Sequence, residues 1–371
     1  MSKKSPLSWL QVTSIAMGGA VGMGILTLSR TAYDKAGSAG IIAVVLSGLI
    51  LLMTGYVMVK IALFYPDQPF FSILDLLLGR YLGFFLKLYY TLYFILLPTM
   101  TLRLFAELVD DALLSRTPTV VVMGVMLLSA VYTAFFDVQV LGRVNQILLP
   151  FIFIILIIFL SIALCKNAHF LFLLPLEFKG KEIVQASLAT AFSYAGFEFT
   201  AFFLSYMQSP REGYKAHGRA VMAITFLYVF VVFSGIVSLG HDVLAHRWPT
   251  LELIRIIEIP ITFLERFDAP FITIWVFAVF STVCSFLWLA SRSVAQLFKI
   301  KNARYTVLPV AAAMLWLASL PPNISKVDQY ADFFGTWGLV GSTLFPLLLY
   351  SISLLRGVRH GKKNGKKRPD N

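Results

Sequence analysis

The chain has 371 residues, of which 58% are hydrophobic and 13% are charged, and its mean hydropathy is +0.80. Soluble globular proteins carry about 25% charged residues, so the composition is that of an integral membrane protein. A net charge of +12 can indicate nucleic-acid binding. Here the basic residues gather at the ends of apolar segments and in the tail, which favours contact with membrane lipid and no nucleic acid.

Ten apolar segments are long enough to cross a bilayer, which takes roughly 20 helical residues. They predict an all-α integral membrane protein that forms a single transmembrane bundle over residues 1–355, followed by a basic cytoplasmic tail over 356–371. The predicted spans are 8–29, 37–63, 82–106, 119–136, 143–164, 184–204, 218–239, 270–291, 306–320 and 334–355.

The first span begins after Lys3 and Lys4 and continues past any A-x-A cleavage site, so it is interpreted as a retained helix. Ten spans return the C-terminus to the side of the N-terminus. Most Lys and Arg residues then fall on that side, which predicts that both termini are cytoplasmic. The tail is expected to lie near anionic lipid headgroups.

Ten spans divide into two halves of five, with repeat 1 at about 8–164 and repeat 2 at about 184–355, inverted relative to one another. Such bundles bind their ligand near the midplane, where the first helix of each half is broken. Span 1 contains the glycine-rich run "AMGGAVGMGIL", and span 6 contains "SYAGFEF" at the matching position. The alternative for the glycines of span 1 is a small-xxx-small packing face on a continuous helix.

Broken helices expose backbone N–H groups and carbonyls that suit the two charges of an amino acid zwitterion. One wall of the predicted ligand site is formed by glycines of span 1, and the other wall is formed by span 6. The residues concerned are Gly22 and Gly24 on the first wall and Tyr194, Ala195, Gly196 and Phe197 on the second.

Glu198 is the only acidic residue well inside a predicted span. A charge at that depth costs at least about 2.5–3.5 kcal/mol on insertion scales, so the side chain is expected to face the interior with a partner. It could serve as a proton relay, a cation ligand or a polar latch, or as a structural carboxylate. The sequence leaves these roles open.

Spans 3 and 8 carry further candidates. Tyr93 and Leu97 lie one helical turn apart and can face the same pocket, while Arg103 and Glu107 have the i,i+4 spacing of an ion pair that orients a helix end. Thr282 in span 8 can contact ligand or bond to its own helix, and spacing does not decide between them.

No catalytic signature is present: there is no Walker-type glycine loop, H-E-x-x-H, C-x-x-C or G-x-S-x-G. The five histidines fall in predicted loops or at helix ends, so neither catalysis nor a metal or cofactor site is predicted. The segment 241–270 is predicted to contain an amphipathic helix over the outer mouth, acting as a gate or an interfacial anchor.

Several strings together are similar to one known family, in order and over nearly the whole chain: "GILTLSR", "LRLFAELV", "SRTP", "GFE", "LERFDAPFITIW" and "YADFFG". The chain resembles the B subunit of the nutrient germinant receptors of endospore-forming bacteria, which are spore germination relatives of amino acid permeases. This resemblance implies a ten-helix LeuT-like bundle of the amino acid–polyamine–organocation superfamily. It also implies a small germinant such as an amino acid, A-type and lipoprotein C-type partner subunits, and the spore inner membrane.

By position, the resemblance implies a pocket that includes span 8 as well as the two broken helices: Gly22, Gly24, Tyr93, Leu97, Ala195, Gly196 and Thr282. The chain departs from the family at Ser29, where a proline is common, and at Ile41, where a tryptophan is common. The predicted function is a germinant receptor subunit. An amino acid permease and a scaffold without ligand are the alternatives.

Overall fold

A computed structural model of the protein describes residues 6–114, 116–175, 178–257 and 268–356. The predicted basic tail beyond residue 356 lies outside these ranges. Within them the chain is helical, apart from turns and one isolated parallel bridge between Leu7 and Met207. The all-α prediction is confirmed.

The described ranges contain thirteen α-helices. They are α1 Trp9–Ala20, α2 Gly24–Ala36, α3 Gly40–Phe64, α4 Phe70–Ala112, α5 Thr119–Ala134, α6 Val138–Asn167, α7 Gly180–Ala191, α8 Phe199–Phe203, α9 Gly213–Leu239, α10 Pro249–Arg255, α11 Asp268–Leu297, α12 Arg304–Ser319 and α13 Ile324–Leu355.

Each predicted span coincides with one of these helices or with a pair of half-helices. Within the described ranges, six helical stretches are long and apolar enough to cross a membrane, and α5 is a shorter apolar helix. The six are Gly24–Phe64, Phe70–Ala112, Val138–Asn167, Pro210–Leu244, Ala269–Leu297 and Ile324–Leu355. The chain is therefore an integral membrane protein.

Some helices are longer than the spans predicted from hydropathy. The α4 helix begins at Phe70, twelve residues before its predicted span, and bends sharply at Gly79, where φ is 80°. The helical segment before this bend, residues 70–78, is separate from the rest of α4. Its Phe70 and Phe71 rings pack against Phe202 of α8. Hydropathy alone found only the part of α4 that follows the bend.

The first and sixth predicted spans are both interrupted, as the glycine patterns indicated. The α1 helix ends at Ala20 and α2 begins at Gly24. The α7 helix ends at Ala191 and continues through a 3-10 turn, Phe192–Tyr194, before helical structure resumes at Phe199. Between them Gly196 has φ 115°, a left-handed conformation that L side chains rarely adopt.

The interrupted helices pack against several other helices of the bundle. The α1 helix packs against α6, α9 and α11, and α7 packs against α2 and α3. Helix α11 is the most enclosed of the six long stretches, since 72% of its apolar window is buried, against 28% for α6. Span 8 is therefore an internal helix, while α6 presents apolar side chains such as Phe151 outward to lipid.

The amphipathic segment predicted within 241–270 forms α10. Leu251, Leu253 and Ile254 of this helix are all buried, and the Thr250 hydroxyl donates a hydrogen bond to the Ile25 carbonyl at 3.0 Å. Because its apolar residues pack inward on α2 and α9, α10 is part of the bundle and not an anchor lying on the lipid surface. Residues 258–267 of the segment lie outside the described ranges.

Candidate ligand site at the two helix interruptions

The two interruptions meet in the middle of the bundle, backbone against backbone. A Cβ atom at Gly196 would lie 2.6 Å from the carbonyl carbon of Gly19 and 2.8 Å from the Ala20 nitrogen. A Cβ atom at Gly19 would in turn lie 3.1 Å from the Gly196 Cα. Glycine is therefore required on both sides of this contact, and the positive φ of Gly196 adds a second reason.

Glu198 lies beside the second interruption with 1% of its surface exposed. One carboxylate oxygen accepts a hydrogen bond from the Gly196 N–H at 2.9 Å, and the other accepts one from the Tyr93 hydroxyl of α4 at 2.9 Å. Both donors are uncharged groups. The carboxylate thus fixes the turn at Gly196 and ties it to α4.

Thr282 and its neighbour on α11 contact the first interruption. The Thr282 hydroxyl lies 2.8 Å from the Gly18 carbonyl and 3.2 Å from the carbonyl of Ala278, one turn back in its own helix. The Ser281 hydroxyl donates to Gly18 as well, at 3.0 Å. A Cβ atom at Gly22 would lie 3.1 Å from the Thr282 Oγ1. Thr282 therefore combines the self-bonding and the cross-helix contact that the sequence left open.

Tyr194 points away from the open side of the site. Its hydroxyl donates to the Val44 carbonyl of α3 at 3.0 Å. Its ring centroid lies 4.7 Å from that of Tyr228 of α9, which sequence reasoning did not single out. The Tyr228 hydroxyl lies 2.8 Å from the Ala20 carbonyl and 2.6 Å from the Ser193 carbonyl. A tyrosine in an apolar span gives no sequence signal for such a contact.

Two other buried polar residues near the site were also missed. The Asn145 amide of α6 donates to the Leu141 carbonyl at 2.9 Å and to the Ser285 hydroxyl at 3.3 Å. His217 was placed near a loop by the sequence, but it lies fully buried in α9 with Nε2 3.2 Å from the Leu52 carbonyl. The sequence did contain one signal for Asn145, which is that a polar amide side chain stands within a predicted span.

A cavity of about 460 Å³ leads toward the interruptions from the end of the bundle opposite Leu7 and Trp9. Among the predicted site residues, Gly24 and Leu97 line it. Arg103 and Glu107 lie apart from the interruptions, and the others lie at the interruptions or contact them. The Phe192 ring also lines the inner end of the cavity, and a Cβ atom at Gly335 of α13 would overlap that ring. Six charged residues also line the cavity: Arg30, Asp34, Lys35, Arg247, Asp328 and Asp332.

Ion pairs lie near this cavity. Arg247 contacts both carboxylate oxygens of Asp328 at 2.7 Å, which joins the segment before α10 to α13. The predicted pair of Arg103 and Glu107 is formed at 2.7 Å, with both side chains largely buried. Glu107 lines a separate cavity of about 360 Å³ beside Arg255.

The opposite end of the bundle is closed by the N-terminal segment. The Leu7 N–H donates to the Tyr206 carbonyl at 2.8 Å, and the Gln208 N–H donates to the Leu7 carbonyl at 2.9 Å. The Trp9 ring is in contact with two cations of α9, the Lys215 ammonium at 4.0 Å and the Arg219 guanidinium at 4.3 Å from its centroid.

Comparison with known proteins places the chain among germination proteins. The family described as "Spore germination protein" (Spore_permease) matches residues 6–327. Similar curated proteins include Spore germination protein YndE of Bacillus subtilis (strain 168), 28% identical over 98% of this chain and 99% of that protein. Spore germination protein B2 of the same strain is 26% identical, over 94% and 96%. GerQB of Bacillus cereus is 25% identical, over 90% and 91%.

The fold has a counterpart among solved structures. MhsT in complex with L-phenylalanine superposes with a TM-score of 0.64 and 14% sequence identity, over 95% of this chain and 99% of MhsT. At that identity the likeness concerns the fold alone. The predicted LeuT-like bundle with interrupted first and sixth spans is confirmed.

Proposed function

Because this chain belongs to the spore germination protein family, we propose that it is the membrane subunit of a nutrient germinant receptor that binds a small germinant at the two interruptions. The family is not an enzyme family, and the proposed activity is binding and signalling. The observation that carries the proposal is the meeting of both interruptions at the inner end of a charged-rimmed cavity.

An amino acid is the proposed class of germinant. The α2 helix begins at Gly24, on the cavity, and its N-cap residue Met23 provides no side-chain cap, so the first N–H groups of α2 can receive a carboxylate. MhsT, which shares the fold, is in complex with L-phenylalanine, and this supports the same class.

We assign two kinds of site residue. Gly24 and Leu97 would touch the ligand at the cavity, whereas a second group would shape the interruptions from behind. That second group is Gly22, Tyr93, Tyr194, Ala195, Gly196, Phe197 and Thr282. Glu198 would hold the break in span 6 through Tyr93. Arg103 and Glu107 would orient the end of α4.

Binding is proposed to change the bundle conformation and to act on A-type and lipoprotein C-type partner subunits in the spore inner membrane. Both chain termini would then lie on the cytoplasmic side of that membrane, which faces the spore core. The halves 8–164 and 184–355 would be the inverted repeats. These assignments follow from the family and from the distribution of basic residues along the chain.

The test is germination of spores that carry Thr282→Ala, exposed to a panel of amino acids. Thr273→Ala is the matched control, because Thr273 also bonds back one turn on α11, to Ala269, but it is exposed. We expect Thr282→Ala to change the effective concentration or the ranking of germinants, and Thr273→Ala to leave both unchanged.

An unaltered response of Thr282→Ala, or of spores that lack this gene, to every nutrient mixture would contradict the proposal. Accumulation of labelled amino acid by proteoliposomes that contain only this chain would establish the alternative, a permease. Binding without accumulation would support the receptor.

A further inference from the structure

Tyr228 joins the two interrupted helices through a single hydroxyl group. The side chain has 0% of its surface exposed. Its oxygen lies 2.8 Å from the carbonyl of Ala20, the last residue of α1, and 2.6 Å from the carbonyl of Ser193 in the 3-10 turn after α7. The Ala20 carbonyl also accepts the Gly22 N–H at 2.8 Å.

These two carbonyls pose an electrostatic problem. A helix C-terminus carries partial negative charge, and here two such ends point at the same place in the interior of a membrane protein. In broken-helix bundles, unwound carbonyls and half-helix ends of this kind commonly coordinate a sodium ion or a proton. A cation or a hydrogen-bond donor therefore has to lie between the two carbonyl oxygens.

The hydroxyl group of Tyr228 is placed to act as that donor. One O–H group can donate fully to only one acceptor at a time, so its proton is shared between or alternates between the two carbonyls. The aromatic ring, packed against Tyr194 at 4.7 Å, holds the oxygen in place.

We propose that the Tyr228 hydroxyl takes the place of a bound monovalent cation at this junction, and that Tyr228 is the positioning residue that holds the two interruptions in register. The junction then needs no sodium or potassium ion. This inference concerns the architecture of the bundle and goes beyond the proposed receptor function, because it holds whichever small molecule binds.

The experiment compares thermal unfolding of purified wild-type protein, Tyr228→Phe and Tyr194→Phe in NaCl, KCl and choline chloride at equal ionic strength. Tyr194→Phe is the matched control, since it also removes a buried tyrosine hydroxyl, one that donates to Val44 of the intact helix α3. No germinant is needed for this readout, so its outcome is separate from that of the germination test.

We expect Tyr228→Phe to unfold at least about 2 °C below Tyr194→Phe in choline chloride. We also expect NaCl or KCl to recover part of this deficit, because a cation can enter once the hydroxyl is gone. A purely structural loss would not respond to the choice of cation. Equal unfolding temperatures of the two variants in choline, or the same deficit of Tyr228→Phe in all three salts, would overturn the proposal.

A second variant keeps the test decisive if Tyr228→Phe does not fold. The residue 4-aminophenylalanine at position 228 carries a neutral amino group whose two N–H bonds can satisfy both carbonyls at once. We expect this protein to fold and to unfold at or above the wild-type temperature in choline chloride. Failure to fold, or a lower unfolding temperature there, would overturn the proposal.

Discussion

The Tyr93 hydroxyl of α4 donates a hydrogen bond to the Glu198 carboxylate at 2.9 Å and so connects two residues 105 positions apart in sequence. The same carboxylate accepts the Gly196 N–H. An acidic group at this depth is expensive unless it has partners. Here the partners are a phenol and the backbone of the interruption, so the shape of span 6 is linked to the position of α4.

This link predicts coupling between Tyr93 and Glu198. We expect Tyr93→Phe to lower the free energy of unfolding by about 1–2 kcal/mol, because the carboxylate loses a donor. In the double variant with Glu198→Gln, the two effects should be non-additive by at least about 0.5 kcal/mol. The measurement is thermal or denaturant unfolding in detergent.

The control for this pair is Tyr90→Phe. Tyr90 is buried on the same helix, but its hydroxyl donates to the Gly341 carbonyl at 2.7 Å. We expect Tyr90→Phe and Glu198→Gln to be additive. Strict additivity of Tyr93→Phe and Glu198→Gln would show that the two side chains are not coupled.

Substitution of Gly196 should be severe. The residue has φ 115°, and a Cβ atom at this position would lie only 2.6 Å from the Gly19 carbonyl carbon. We expect Gly196→Ala to destabilise the protein by at least about 3 kcal/mol or to prevent folding, because backbone has to move on both sides. Expression level and unfolding temperature measure this effect.

Gly124 provides the comparison for Gly196. It lies within α5, and a Cβ atom there would have no neighbour within 4 Å. Gly124→Ala should be neutral or should stabilise by up to about 1 kcal/mol, since alanine is the better helix former. Similar behaviour of the two alanine variants would contradict the contact between the interruptions.

The ion pair of Arg247 and Asp328 is expected to contribute little to stability. Its side chains are 29% and 50% exposed, and pairs of this kind are worth about 0–1 kcal/mol and weaken with salt. Because the pair spans the cavity wall, we expect Arg247→Ala and Asp328→Ala to change the rate of the germinant response more than the unfolding temperature. The exchange Arg247→Asp with Asp328→Arg should restore the rate.

If the single variants and the exchanged protein all fold but the exchange does not restore the rate, the ion pair does not control ligand access. Spore germination kinetics at low and high ionic strength provide the measurement. A wild-type germination rate that is the same at low and high ionic strength would also indicate that the ion pair does not control ligand access.

The contact of Trp9 with Lys215 and Arg219 is expected to hold the N-terminal segment closed. Each exposed cation–π contact contributes roughly 0.5–1 kcal/mol. Loss of both contacts in Trp9→Ala should therefore increase opening of this segment by about 5- to 30-fold. Opening can be measured as maleimide labelling of Leu7→Cys, a buried position, in a Cys165→Ser background.

Trp316→Ala is the control for this labelling. Trp316 is 64% exposed on α12 and lies far from the N-terminal segment in the sequence. We expect its removal to leave the labelling rate unchanged. Equal labelling in the Trp9 and Trp316 variants would mean that the backbone bridge at Leu7 holds the segment without help from the tryptophan.

The sequence by itself determined the class of fold and the places where two helices break. Bilayer thickness sets the length of an apolar helix, so the ten spans could be found by hydropathy. Clustered glycines weaken a helix locally, so the first interruption could be found from the run at 18–24, and Gly196 marked the second. The placement of Glu198 inside a span also predicted that it would need a partner.

Only the tertiary structure decided which residues are the partners. Tyr93 meets Glu198 across 105 residues, and Tyr228 meets Ala20 across 208. Hydrophobicity and helix propensity are properties of neighbouring residues and contain no information about such separations. A tyrosine that packs against lipid and one that bridges two carbonyls look the same in an apolar span, because the difference between them is the helix that lies opposite.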